Sequence, residues 1–262
     1  MREPMILLYV GFLLTILSTH SGCPSSYNQI SPDLCVVRLT TANTFCRACE
    51  MCAQYGAARG HLAFLLGRNA NRVFPVTAEP GYTWLGFTKF LTEPSLFTIG
   101  WRDVDPRTPG FTTTGSEMIW SGLELQDDQP VAVIYKDGVI YDCTVDCFGL
   151  PLTVYCEYGG VLPIGPLQQQ YRSDFPLSLT DLIRPGSKVF GCFLEVNSSS
   201  IIDCARKCTL EVACRSLYYG DYSRRCIHTM YADALLPEYI ASGETDWKRF
   251  AKVSYARIRD EL

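Results

Sequence analysis

The sequence predicts an α+β protein made of two disulfide-rich modules behind a cleavable leader. Three observations carry that expectation. Thirteen cysteines punctuate the chain of 262 residues and fall into two groups with a cysteine-free stretch between them. Both groups combine a helix-type spacing with short strand-type alternations. The third is the leader: an apolar run from Met5 to Leu17 follows Arg2, and the small residues Thr19 and Ser21 suit signal cleavage near Ser21. That run is shorter than the roughly 20 residues needed to span hydrocarbon. No later stretch is long and apolar enough to span either. The expectation is therefore a leader over 1–21, a secreted product with no membrane span, and cysteines in a compartment where disulfides persist.

The first group holds Cys23, Cys35, Cys46, Cys49, Cys52, Cys143, Cys147 and Cys156. The run 36–39 alternates weakly and suits a strand. Asn43 or Thr44 can cap a helix that runs to Tyr55 and ends at Gly56. Cys46, Cys49 and Cys52 recur three apart, along one drifting face of it. Short strands are expected at 82–87, 131–135, 139–142 and 153–156, with Lys136-Asp137-Gly138 as a hairpin turn. Between them, 88–128 reads as a loop too long to stand bare in a compact domain. Trp101, Phe111 and Trp120 either anchor it in the core, the favoured reading, or form a binding surface.

Residues 159–174, rich in Gly, Pro and Gln, read as a linker, although Val161, Leu162 and Ile164 could pack on a neighbouring module. The second group follows: Cys192, Cys204, Cys208, Cys214 and Cys226. Ser200 and Asp203 have capping-box spacing and open a helix to about Leu210. Cys204 and Cys208 share one face of it. Strands are expected from Cys214 to Tyr219 and at Cys226-Ile227-His228. A helix bridged to an adjacent hairpin is the simple solution where a small module has little core of its own.

Several pieces of the first group, in order, resemble the C-type lectin-like domain over 22–158. Cys23 and Cys35 resemble its amino-terminal pair. Cys52-Ala53-Gln54-Tyr55-Gly56 followed by Gly60-His61-Leu62-Ala63 resembles the end of its first helix and the next strand. Trp84-Leu85-Gly86 resembles its core motif, and Tyr155-Cys156-Glu157 its closing strand. The resemblance implies a bridge from Cys52 to Cys156. It also implies an absence. Where sugar-binding members hold calcium with Glu-Pro-Asn or Gln-Pro-Asp and a later Trp-Asn-Asp, this chain has Glu124-Leu125-Gln126, Gln129-Pro130-Val131 and Tyr141-Asp142-Cys143. Calcium takes 6–8 oxygen ligands, and Val131 and Cys143 offer no side-chain oxygen. Calcium-independence is expected, with Glu124, Asp127, Asp128 and Asp142 the candidates for a degenerate site. A family cysteine near Gln129 is missing, so Cys147 needs another partner. Cys46, Cys49, Cys143 and Cys147 allow three pairings, and cross-links from the helix to the 143–147 loop are preferred.

The second group, with the spacing C-x3-C-x5-C and a fourth cysteine beyond, resembles the PAN or apple domain over 175–255, leaving 256–262 as a tail. The resemblance implies bridges from Cys204 to Cys226 and from Cys208 to Cys214. Thirteen is odd, so at least one cysteine lacks an internal partner. Cys192 is singled out, as a buried thiol or as the bridge of a disulfide-linked homodimer.

Composition narrows function further. Net charge is −4 with no basic cluster, which argues against nucleic acid. No nucleophile elbow, HExxH or EF-hand loop occurs. His61 and His228 read as structural. Cys46-Arg47-Ala48-Cys49 has redox spacing, but no βαβ pattern precedes it and Cys52 follows, so disulfides are expected there. No cofactor and no enzyme activity are expected. The function expected is recognition of an extracellular protein or glycan. The rivals are a structural or matrix role and a calcium-dependent lectin with a degenerate site. Asn197-Ser198-Ser199 is the single glycosylation sequon. The ending Arg259-Asp260-Glu261-Leu262 is similar to a retrieval signal and makes the endoplasmic reticulum lumen the alternative location.

Overall fold

The computed structural model describes residues 22–74, 81–91, 98–121, 129–135, 137–165, 167–186, 190–255 and 257–258. The leader, Glu124, Asp127, Asp128 and the final four residues lie outside these. In chain order the first half contains β1 (Asn28–Ser31), β2 (Leu34–Ala42), α1 (Phe45–Ala57), β3 (His61–Leu65), α2 (Ala70–Val73), β4 (Tyr82–Thr88), β5 (Arg102–Asp103), β6 (Val131–Tyr135), β7 (Ile140–Cys143) and β8 (Leu152–Val161). These strands form one sheet in the order β1-β2-β8-β4-β6-β7, with β3 added to β8 and β5 to β4. Helix α1 starts where the sequence places it: the Thr44 hydroxyl accepts the N–H of Arg47 at 3.2 Å. Its buried residues Phe45, Ala48, Cys49, Cys52 and Gly56 follow the helical repeat and pack on β3 and β8.

The core of this half is aromatic. Phe45, Trp84, Phe87, Phe90 and Trp101 are fully buried. Phe45 meets Phe90 and Trp84 edge-on, with ring centroids 5.6 and 6.4 Å apart. The indole of Trp84 donates to the Ala42 carbonyl at 2.9 Å, so its one polar atom is satisfied. Gly86 completes the motif because no side chain fits: a Cβ there would lie 2.6 Å from both the Leu65 carbonyl oxygen and a Val104 methyl. The described part of the long 88–128 segment is anchored rather than bare. Trp101 is fully buried and stacks on half-buried Trp120 at 4.9 Å, and Phe111 packs on the same cluster. Trp101 is thus a core anchor, and Phe111 and Trp120 pack against it while keeping part of their surface exposed.

The second half contains β9 (Leu167–Gln168), β10 (Tyr171–Arg172), β11 (Ile183–Arg184), β12 (Cys192–Val196), α3 (Ile201–Leu210), β13 (Cys214–Gly220), β14 (Cys226–Met230), β15 (Leu236–Pro237), α4 (Glu238–Ala241), β16 (Trp247–Lys252) and β17 (Arg257–Ile258). Five strands form an antiparallel sheet in the order β10-β16-β13-β14-β12. The Ser200 hydroxyl caps α3 by accepting the N–H of Asp203 at 3.2 Å. Disulfides Cys204–Cys226 and Cys208–Cys214 tie α3 to β14 and to the start of β13. This is a helix stapled to a hairpin. The expected linker is drawn into the sheets at both ends: Val161 pairs with His61, and Tyr171 with Lys252.

The cysteine pairing departs from expectation in two places. Cys52–Cys156 and Cys23–Cys35 close as the resemblance implies. Cys143 and Cys147, however, bond to each other across a tight turn, with Cα atoms 5.2 Å apart, so α1 is not cross-linked to that loop. Nor is Cys192 the unpaired cysteine or a free bridge to a second copy. It lies on edge strand β12 facing α1, with its Cα 5.6 Å from that of Cys46, and the two are bonded. The free thiol is Cys49, one turn further along α1 and buried. The odd cysteine thus sits in the first half, because one bridge crosses between the halves.

Candidate functional site

Of the residues compared above with calcium-binding motifs, Val131 and Tyr141-Asp142-Cys143 lie on two neighbouring strands. Val131 on β6 and Cys143 on β7 are cross-strand partners, and both are buried. Cys143 is also consumed by its bond to Cys147. Asp142 on β7 is half-buried. The charge that acts on it is one the sequence reading missed, Lys89. This lysine follows β4, is 3% exposed, and donates its backbone N–H to the Pro130 carbonyl at 2.8 Å. Its ammonium lies 5.1 Å from the centre of the Trp101 ring. Burial pushes it down to about 8, while the negative charge of Asp142 opposes that fall. Nothing in the sequence marks Lys89, since burial of a single lysine leaves no local pattern.

The comparisons with known proteins bear on the fold alone. No family model matches the chain, and no curated protein matches it. Among solved structures it is similar to the C-type lectin CEL-I from Cucumaria echinata, at 16% identity and TM-score 0.36, covering 53% of this chain and 98% of that one. A calcium-independent type II antifreeze protein gives 15% identity and TM-score 0.38, covering 53% of this chain and 96% of that one. The carbohydrate-recognition domain of the mouse scavenger receptor C-type lectin gives 16% and 0.38, covering 52% and 97%. At these values the fold stands on its own strands, register and bridges.

Neither histidine is placed for catalysis. His61 packs between Tyr27 and Tyr158, with ring centroids 5.8 and 5.1 Å away. His228 is buried on β14 with Nε2 3.2 Å from the Cys204 carbonyl oxygen, and burial lowers its pKa. Among the described residues, the groupings close enough to share a metal are His228 with Cys204 and Cys226, or with Cys208 and Cys214. Their sulfurs are bonded in pairs, and the metal ligand is a thiolate. The Cys46-Cys49 spacing is not a redox pair here, since Cys46 is bonded to Cys192 and burial raises the pKa of Cys49. A thiol held protonated is a poor nucleophile.

A dense cluster of buried charge lies, among the described residues, where the two sheets meet. Asp105, 1% exposed, accepts from Arg68 at 2.8 Å and from Arg107 at 2.8 and 2.9 Å. Arg107 continues to Glu157 at 2.9 Å, and Asn69 donates to the other oxygen of Glu157 at 2.9 Å. Asp103 accepts the backbone N–H groups of Asp105 at 3.1 Å and Arg68 at 3.3 Å. Gly67 is required beside it, since a Cβ would lie 2.3 Å from an Asp103 oxygen. Across the joint, Arg215 donates to the Val104 carbonyl at 3.1 Å and Arg184 to the Phe90 carbonyl at 3.2 Å. One apolar cluster runs through both sheets, including Phe90 and Val104 from one side and Phe190, Ala232 and Ala234 from the other.

An open groove of about 540 Å³ lies on the second sheet, lined by Asp174, Ser178, Thr180, Leu182, Trp247 and Lys248 among others. It follows from the shortness of β10. The N–H of Val253 bonds to the Gln170 carbonyl, and strand alternation places the backbone groups of Arg249 and Trp247 on that same side. Strand β10 ends at Arg172, opposite Ala251. Beyond it the edge of β16 faces the groove.

Proposed function

We propose that the chain is a non-catalytic recognition protein of the secretory pathway that binds a protein or glycan without calcium. A C-type lectin-like module over 22–158 and a PAN/apple-like module over 175–255 are its two parts. The observation that carries the calcium-independence is geometric: buried Val131 and Cys143 face each other across β6 and β7, Cys143 is bonded to Cys147, and neither side chain offers an oxygen. A glycan array and a pull-down from the source secretions, each run with calcium and with chelator, test the reading. Equal binding in both conditions is expected. Binding that appears only with calcium, or a calorimetric site of sub-millimolar affinity, overturns it and returns Glu124, Asp127, Asp128 and Asp142 to candidacy.

The location rests on the leader composition over 1–21. Asn197, exposed just after β12, is proposed to carry a glycan. An unchanged gel mobility after amidase treatment of protein from a eukaryotic host would count against this. Retrieval to the endoplasmic reticulum through 259–262 is proposed as the alternative to secretion. Equal secretion with and without those residues rules it out.

A further inference from the structure

Between the two sheets lies a small, partly open cavity of about 30 Å³, room for one or two water-sized spheres. Charged side chains from both sheets line it: Arg102, Asp103 and Asp105 from the first, and Arg215, Asp233 and Lys252 from the second. The carboxylates already have partners. Asp105 is held by Arg68 and Arg107, and Asp233 is paired with buried Arg249. Asp103 receives two backbone N–H groups, and burial, reinforced by neighbouring Asp105, pushes it up to about 7.

The cations are different. Arg102 donates to the Pro109 carbonyl and the Thr112 hydroxyl. Arg215 donates to the carbonyls of Tyr231, Val212 and Val104 at 2.9, 3.0 and 3.1 Å. Lys252, 7% exposed, donates to the Glu211 carbonyl alone at 3.1 Å. An ammonium has three donors, so two N–H groups of Lys252 remain without a protein partner among the described residues. None of the three cations forms an ion pair with a carboxylate among the described residues. Burial together with the charge of Arg215 brings Lys252 down to about 7, and burial brings Arg215 down to about 10. Buried cations held only by neutral oxygens are costly. Asp233 acts on Arg102, and Asp105 and Asp103 on Arg215, but none lies within ion-pair distance of these cations, and the small space between them suits a monatomic anion.

We propose that this cavity is a chloride-binding site formed by Arg102, Arg215 and Lys252, in which the ion bridges the two sheets. Arg102 approaches from the first sheet, Arg215 and Lys252 from the second, so the ion adds an electrostatic tie at the joint already crossed by Cys46–Cys192.

Thermal unfolding of the full secreted chain at constant ionic strength and neutral pH tests this, with chloride replaced stepwise by gluconate. The midpoint is expected to rise by about 3 °C and to saturate as chloride increases, the response of a ligand that binds only the folded state. Bromide should reproduce the effect. Lys252→Met should remove the chloride response, and Arg172→Ala, on an exposed ion pair, should keep it. Anomalous diffraction from a bromide-grown crystal of the unaltered protein supplies the second measurement if Lys252→Met fails to fold. A bromide peak in the cavity supports the site. An empty or water-filled cavity, or equal midpoints in chloride and gluconate, overturns it.

Discussion

The two sheets reach a stable interior by different routes. The first buries five large aromatic side chains completely, and its helix is tied to its central strand by one bridge, Cys52–Cys156, spanning 104 residues. The second buries fewer large apolar groups. It relies on two short bridges, of 22 and 6 residues, and on polar pairs inside the sheet. There Arg249, 2% exposed, pairs with Asp233, and the Ser216 hydroxyl lies 2.6 Å from that of Thr229. Both halves bury ion pairs and carry disulfides, and the difference teaches that such ties weigh more where a smaller module buries fewer large apolar groups.

Removing bridges tests that contrast most strongly. Loop entropy sets an upper value of about 4.7 kcal/mol for Cys52–Cys156 and about 2 kcal/mol for Cys208–Cys214. Denaturant unfolding of Cys52→Ala/Cys156→Ala and Cys208→Ala/Cys214→Ala should rank in that order, and equal losses would break the comparison. Next comes Arg249→Met, which leaves Asp233 charged and without its arginine. A loss of about 3–5 kcal/mol is expected, much of it recovered in Arg249→Met/Asp233→Leu. A double variant no better than the single one would show that the pair does not act as a unit.

Acidity sharpens the contrast at the joint. Asp103 is raised from 3.8 to about 7, chiefly by burial. Its folded form therefore holds the proton more tightly than the unfolded chain does. Its contribution to stability is full below 3.8 and is lost as pH rises through about 7. Asp103→Asn should flatten the stability slope in that window by up to about 1.4 kcal/mol per pH unit. An unchanged slope refutes the assignment. The smallest effect compares the two helix caps: Thr44→Ala and Ser200→Ala should each cost about 1 kcal/mol, because each hydroxyl satisfies one N–H of the first turn.

Local features were the legible ones. The caps Thr44 and Ser200, the hairpin glycine at 138 and the strands around 131–135 and 214–219 announce themselves through neighbours in sequence. The Cys46–Cys192 bond does not, because reading each module as self-closing leaves Cys192 over. Only the approach of β12 to α1 reveals its partner. Lys89, Arg102, Arg215 and Lys252 escaped for a related reason. A charged residue carries no sign in the sequence of how deeply the fold buries it, and that depth makes these four informative. The anchoring of the 88–128 segment by Trp101, Phe111 and Trp120 was expected from its length, but the stacking of Trp101 on Trp120 has no periodicity to announce it.

The bridge between α1 and β12 spans 146 residues, and this has a bearing on biogenesis. On the proposed secretory route, a chain made from its amino terminus brings Cys46 and Cys49 into an oxidising compartment well before Cys192. During that interval they are each other's neighbours, one helical turn apart. A bond between them would have to be reopened by thiol exchange before the two sheets could be joined. Cys49, inert once folded, is thus a competitor while the chain is growing. Cys49→Ala should hasten arrival at the native pairing without removing any native bond.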